Sequence, residues 1–180
     1  EMIRNYPGVE YVITANGGAV YSVREGKRVY QCLLEKESVE AAIAVRKREN
    51  MVLEVVIDGV PYAEEAYVKD PMQYLATEYG AKYIKATRKP VKDICRFAQK
   101  HAEELDSISF VCRYEDKERL YTSLDKEIPN IYVTSSVPNL MEVGHIDAGK
   151  GKTLLWLLKK LEISTEEAMA FGDADNDISM

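Results

Sequence analysis

Apolar and polar positions alternate along this chain in two rhythms, one extended and one helical. "VEYVITA" (9–15), "RVYQCLL" (28–34), "MVLEVVID" (51–58), "SISFVCR" (107–113), "IYVTSS" (131–136) and "LMEVGHI" (140–146) are rich in β-branched residues, which predicts strands. The first run stops at Asn16–Gly17–Gly18, whose Asn-Gly pair suits a tight hairpin turn before Ala19–Val20–Tyr21 resumes the extended pattern. Asp58–Gly59 joins 51–58 to "VPYAEEAYV" (60–68) as a second hairpin, and Glu25–Gly26 marks another turn. Helical spacing predicts a helix capped by Ser38 and running to about Glu49, and one over 115–128 with Leu120 and Leu124 on a shared face. Pro71 is expected to open a short helix ending near Gly80, and Pro90 a longer one carrying Val91, Ile94, Phe97, Ala98, Ala102 and Leu105.

The last segment differs in style. "GKTLLWLLKKLEI" (151–163) reads as a strongly amphipathic helix, with Trp156 explained by packing. Ser164 stands three residues before Glu167, a capping box with Ile163 placed as its staple. "AMAF" (168–171) is apolar throughout and predicts a strand buried on both faces, as in a parallel sheet. The polar loop after it would lie at the carboxyl end of that strand, where ligands of open α/β sheets bind. The chain therefore reads as α/β, with residues 1–21 and 147–180 as pieces of one core and 22–146 as an inserted α+β region.

Composition narrows the function. A chain of 180 residues can bury one real core or two small ones. Nucleic-acid binders usually show a basic face, so a net charge of −6 argues against nucleic acid as a partner. Three scattered cysteines, Cys32, Cys95 and Cys112, argue against a disulfide framework and for a reducing, cytoplasmic setting. His101 and His145 stand alone, so zinc spacing is absent, and His145 reads as structural. No apolar run is long enough for a bilayer, and no signal peptide is visible at Glu1–Arg4.

The candidate chemistry is concentrated near the end. In "GDADNDISM" (172–180), Asp173, Asp175 and Asp177 alternate as in a calcium loop, but Ile178 stands where that loop needs glycine. Two readings remain, a solvated acidic turn or carboxylates aimed at a hard cation such as Mg²⁺. "GHIDAGKGKT" (144–153) fails the phosphate-loop pattern in both registers, since Gly151 replaces the final Ser or Thr in one and Ile146 the first glycine in the other. What remains is Lys150, flanked by glycines at a helix start, where lysine and free N–H groups both favour an anion. "VVIDGV" (55–60) has Val56 where a two-aspartate nucleophile loop would need a second aspartate, so it reads as a hairpin turn.

Taken together, "KGKTLLWLLKKLEISTEEAMAFGDADNDISM" resembles the third and fourth motifs of the haloacid dehalogenase superfamily, and more narrowly its Cof-type sugar-phosphatase branch. "YVITANGGAVY" resembles the strand–Asn–Gly segment that leads into the large cap of that branch. The resemblance implies partial Rossmann-like core pieces plus an inserted type IIB cap. It implies that Lys150 contacts the transferring phosphoryl group and that Asn176 and Asn16 bind phosphate or substrate. Mg²⁺ would be held by Asp173, with the Ala174 carbonyl and Asp177 contributing to the metal or Asp177 supporting Lys150. The family's aspartate nucleophile, in a D-x-D-G-T loop, does not occur in 1–180. The chain is thus expected to be the middle of a longer protein, nearly inactive alone. The intact protein is expected to hydrolyse small phosphorylated metabolites through an aspartyl-phosphate, as a monomer or weak homodimer. The alternatives are a related mutase or sugar-phosphate phosphatase, or a non-catalytic cap-like binding module.

Overall fold

The computed structural model describes residues 7–180, so Glu1–Arg4 and the first part of the 1–21 segment lie outside the described residues. β1 (Tyr11–Thr14), β2 (Ala19–Ser22) and β3 (Lys27–Gln31) form a three-stranded antiparallel meander. The β1–β2 turn is a hairpin, as the Asn-Gly pair predicts, and its residues Ala15, Asn16 and Gly17 all have positive φ. Asparagine tolerates that region better than most residues and glycine adopts it freely.

The larger sheet has six strands. They are β4 (Val52–Ile57), β5 (Val60–Glu64), β6 (Lys89–Val91), β7 (Leu105–Val111), β8 (Ile131–Thr134) and β9 (Leu140–His145), in the order β6-β5-β4-β7-β9-β8. Among the described strands only β5 and β6 pair in parallel. Strand periodicity sorts the side chains to two faces. Leu53, Val55, Ile108, Phe110, Met141 and Val143 point one way and are fully buried. They pack under α1 (Lys36–Glu49), α4 (Ile94–Lys100) and α5 (Lys117–Glu127), which supply Val39, Ala42, Ala98, Leu120 and Leu124 to one continuous core. On the opposite face, α2 (Glu65–Lys69) and α3 (Glu78–Thr87) cover only one end, through Tyr67 and Ile84. The rest of that face is polar. Glu54, Ser109 and Glu142 stand side by side across β4, β7 and β9.

The two sheets are joined through buried charge. Arg28 of β3 reaches across to Asp106 of β7, with Nη2 donating to Oδ2 at 3.0 Å, and the Gly59 N–H donates to the same oxygen at 2.9 Å. Burial nevertheless keeps the Asp106 carboxyl above its usual range. Tyr21, half-buried and donating to Asp58, is pushed up to about 12.

Several elements differ from the sequence expectation. Pro90 does not open a helix. It sits in β6, an edge strand, where proline's missing N–H goes unneeded, and α4 begins four residues later under an Asp93 cap. Residues 60–68 are strand only to Glu64 and then turn into α2. Gly80 lies inside α3, not at a helix end. Glu35, not Ser38, occupies the N-cap of α1, and the Ser38 hydroxyl donates to the Pro129 carbonyl at 2.8 Å. The small sheet continues through β2 and β3 to Gln31, past residue 21. Finally, 168–171 is not a strand, and Met169 and Phe171 are more than four-fifths exposed. A strand exists only through hydrogen bonds to a neighbour, and no described strand lies beside it.

Candidate active site

The predicted site residues converge at the start of α6 (Lys150–Lys160). Their approach depends on two glycines. Gly17, at φ +102°, lets the hairpin turn lie against the backbone of Gly149, where an added Cβ would stand 2.5 Å from the carbonyl carbon. The Thr153 hydroxyl then donates to the Gly17 carbonyl at 2.7 Å, locking α6 to the turn. On the other side of the helix start, a side chain at Gly151 would collide with the Ser179 backbone, and the Gly151 N–H donates to Ser179 Oγ at 3.2 Å. These contacts bring residues 15–18, 149–153 and 172–179 together.

Within that corner, Lys150 Nζ pairs with Asp177 Oδ1. Asp177 Oδ2 accepts the backbone N–H groups of Asp173 (3.1 Å) and Ala174 (3.2 Å). The Lys150 ammonium and then the Asp173 N–H hold the Asp177 carboxyl below the usual carboxylate range. Asn176 Nδ2 donates to Asn16 Oδ1 at 3.0 Å, Asn16 Nδ2 donates to Glu142 Oε1 at 3.1 Å, and the Tyr132 hydroxyl donates to the Asn16 carbonyl at 2.8 Å. Burial, followed by the charge of Glu142, raises the Tyr132 hydroxyl, keeping it a donor. Lys150, Asp173, Ala174, Asn176, Asp177 and Asn16 thus form one connected corner. Asp173 itself is exposed.

A cleft of about 880 Å³ opens from this corner. Asn16, Lys150 and Asp177 line one wall, and Glu54, Arg88, Ser107, Ser109 and Glu142 line the other. Glu54 and Arg88 form a buried bidentate pair, with Nη2 donating to Oε2 at 2.9 Å and Nε to Oε1 at 3.2 Å, while Tyr83 stacks on the guanidinium at 4.9 Å. None of the second-wall residues stood out in the sequence. For Glu54 and Glu142 the signal was a single glutamate inside a largely apolar strand, in "VLEVVI" and "LMEVGH". His145 serves a structural contact instead. Its Nδ1 accepts the Asp147 N–H at 3.1 Å and lies 3.3 Å from Cys32 Sγ.

Among the described residues, no three His, Cys, Asp or Glu side chains are gathered as a complete metal cage. Mg²⁺ does not require one, since it is commonly held by one or two carboxylates plus waters and substrate phosphates. Asp173 fits that role. The Ala174 carbonyl accepts the Asp177 N–H at 2.9 Å and keeps a second lone pair. Both Asp177 oxygens already accept hydrogen bonds, which suits bracing of Lys150 and the loop better than coordination.

The family model for haloacid dehalogenase-like hydrolases matches residues 1–180. This chain belongs to that family. The haloacid dehalogenase fold is equally plain in solved structures. A haloacid dehalogenase-like hydrolase from Bacillus subtilis superposes over 99% of this chain and 68% of its own, with a TM-score of 0.77 at 21% identity. A sugar phosphatase of haloacid dehalogenase subclass IIB superposes over 99% of this chain and 63% of its own, with a TM-score of 0.74 at 17% identity. Among curated proteins, the HMP-PP phosphatase of Klebsiella pneumoniae is 25% identical over 171 residues, 94% of this chain and 58% of that protein. The chain therefore spans about three-fifths of these three relatives. No helix among the described residues is long and apolar enough to cross a membrane.

Proposed function

We propose that the intact protein is a Mg²⁺-dependent phosphatase of small phosphorylated metabolites, such as sugar or cofactor phosphates. Its nucleophile would be an aspartate outside this chain that carries the phosphoryl group as an aspartyl-phosphate. The six-stranded sheet and its helices, within residues 22–146, would act as the cap, and the flanks together with the small sheet as parts of the core. The observation that carries the reading is the Lys150–Asp177 pair closed over the 173–177 turn, beside Asn16 and Asn176. The names of the relatives, an HMP-PP phosphatase and a sugar phosphatase, support a small phosphate ester as the ligand.

In this reading Asp177 orients the Lys150 ammonium. One of its three N–H groups serves Asp177, leaving two to bind phosphoryl oxygens. Asn176 and Asn16 position the ester, and the second wall of the cleft faces the leaving group. Mg²⁺, held by Asp173, would supply the charge neutralisation that lets a phosphate dianion approach carboxylates. Each of these groups acts where charge develops, so losing one should lower kcat/KM by about a hundredfold or more. The test is hydrolysis of p-nitrophenyl phosphate by the intact protein carrying Lys150→Ala or Asp173→Ala. Near-normal turnover in either variant would remove the site assignment. Rapid Mg²⁺-dependent turnover by residues 1–180 alone would remove the missing-nucleophile reading.

A further inference from the structure

We propose that Glu142 is a specificity-determining residue, which selects leaving groups that present a hydroxyl or a cationic amine and disfavours those carrying a second anion. The proposal rests on the phosphatase reading and deepens it.

Among the described residues, five acidic or basic side chains line the cleft: Glu54, Arg88, Glu142, Lys150 and Asp177. Four of them neutralise each other in pairs. Arg88 is held by both oxygens of Glu54, with side chains only 13% and 4% exposed, and Lys150 is held by Asp177. Among the described residues Glu142 has no cation partner: its Oε1 accepts a neutral amide N–H from Asn16, and its Oε2 is buried without any hydrogen-bond partner. A buried acceptor left unpaired is rare and costs desolvation free energy, so its natural complement is a donor brought in by a ligand. Position supports the same conclusion. Glu142 lies directly across from Ser109 on the polar face of the sheet, and both line the cleft whose other wall carries Lys150. The Asn176–Asn16–Glu142 chain of hydrogen bonds fixes the carboxylate relative to the phosphate corner. Arg88 spends its charge on Glu54, so an anion arriving there meets a pair with no net charge. The second wall therefore offers acceptors, one hydroxyl row and one uncompensated negative charge.

Three six-carbon esters vary the charge: glucosamine 6-phosphate and glucose 6-phosphate, which share one ring, and open-chain 6-phosphogluconate, whose different shape cancels in the comparison with Glu142→Gln. Their leaving groups carry charges of +1, 0 and −1. For the intact wild-type protein, kcat/KM is expected to fall in that order, with about tenfold or more between the first and the last. Glu142→Gln keeps the shape and the acceptor for Asn16 but removes the charge. It is expected to compress the order, lowering the ratio of glucosamine 6-phosphate to 6-phosphogluconate by about tenfold relative to wild type. Equal rates across the series in the wild type, or a ratio unmoved by Glu142→Gln, would overturn the proposal while leaving the phosphatase reading intact. Failure of the wild type to hydrolyse these esters and p-nitrophenyl phosphate would overturn both. Should Glu142→Gln fold poorly, the wild-type ratio of glucosamine 6-phosphate to glucose 6-phosphate, two esters of one ring shape, decides.

Discussion

Replacing Gly17 by alanine tests whether the site depends on close backbone approach. Gly17 has φ +102°, and a Cβ there would stand 2.5 Å from the carbonyl carbon and oxygen of Gly149 and 2.7 Å from its nitrogen. The backbone conformation alone costs a non-glycine residue about 1–3 kcal/mol. Overlap with backbone, which cannot rotate away, adds about 1–3 kcal/mol as overpacking. The total of about 2–6 kcal/mol is a large share of a typical stability of about 5–15 kcal/mol. At about 2–4 °C per kcal/mol for a chain of this size, Tm should drop by roughly 5–20 °C. Gly26→Ala is the control, because Gly26 also has positive φ (+63°) but its Cβ would meet nothing within 4 Å. That variant carries only the conformational cost, about 1–2 kcal/mol. Thermal unfolding followed by circular dichroism reads both. A second readout is activity, because Gly149 precedes Lys150 and relief of the overlap moves the α6 start. In the intact protein Gly17→Ala should therefore lose turnover where Gly26→Ala does not. Equal Tm values for the two variants would refute the close-approach account of the corner.

Other consequences follow from charge placement. Arg88→Met leaves the Glu54 carboxylate buried without its partner and should destabilise by about 3 kcal/mol, whereas Glu54→Gln combined with Arg88→Met should lose less than the single change; urea denaturation of both variants checks it, and simple additivity would contradict it. Arg48, then Ser123, holds the Glu127 carboxyl down to about 2, tying α5 to α1. Because the folded value is depressed, that contribution is fully present above the unfolded value of about 4.3 and is lost as pH falls toward 2. The stability gap between wild type and Arg48→Ala should accordingly shrink between pH 5 and pH 2, and a gap that ignores pH would detach Glu127 from Arg48.

Local signals carried much of the fold. The Asn16–Gly17 hairpin, the 51–64 hairpin, α1, α5, α6 and the Ser164–Glu167 capping box all form where the pattern predicts them. The candidate corner was also legible, because G-D-x-x-N-D and a glycine-flanked lysine are short motifs whose chemistry is written in neighbouring residues. Other features depended on partners distant in sequence. Pro90 reads locally as a helix opener, yet a parallel pairing with β5 makes it an edge strand. Ala168–Phe171 reads as a buried strand, yet an apolar run becomes a strand only when another backbone satisfies its N–H and C=O groups.

Sequence by itself determined which short segments turn, cap and coil, and which residue types could meet a phosphate. It could not determine the second wall of the cleft. Glu54, Ser109 and Glu142 are 33 to 88 residues apart and become neighbours only through strand register. Which of their charges is neutralised and which is left unpaired depends on where Arg88 and Asn16 arrive in space. That is the physical boundary here: periodicity and capping act within a few residues, whereas burial and electrostatic pairing are properties of the packed chain.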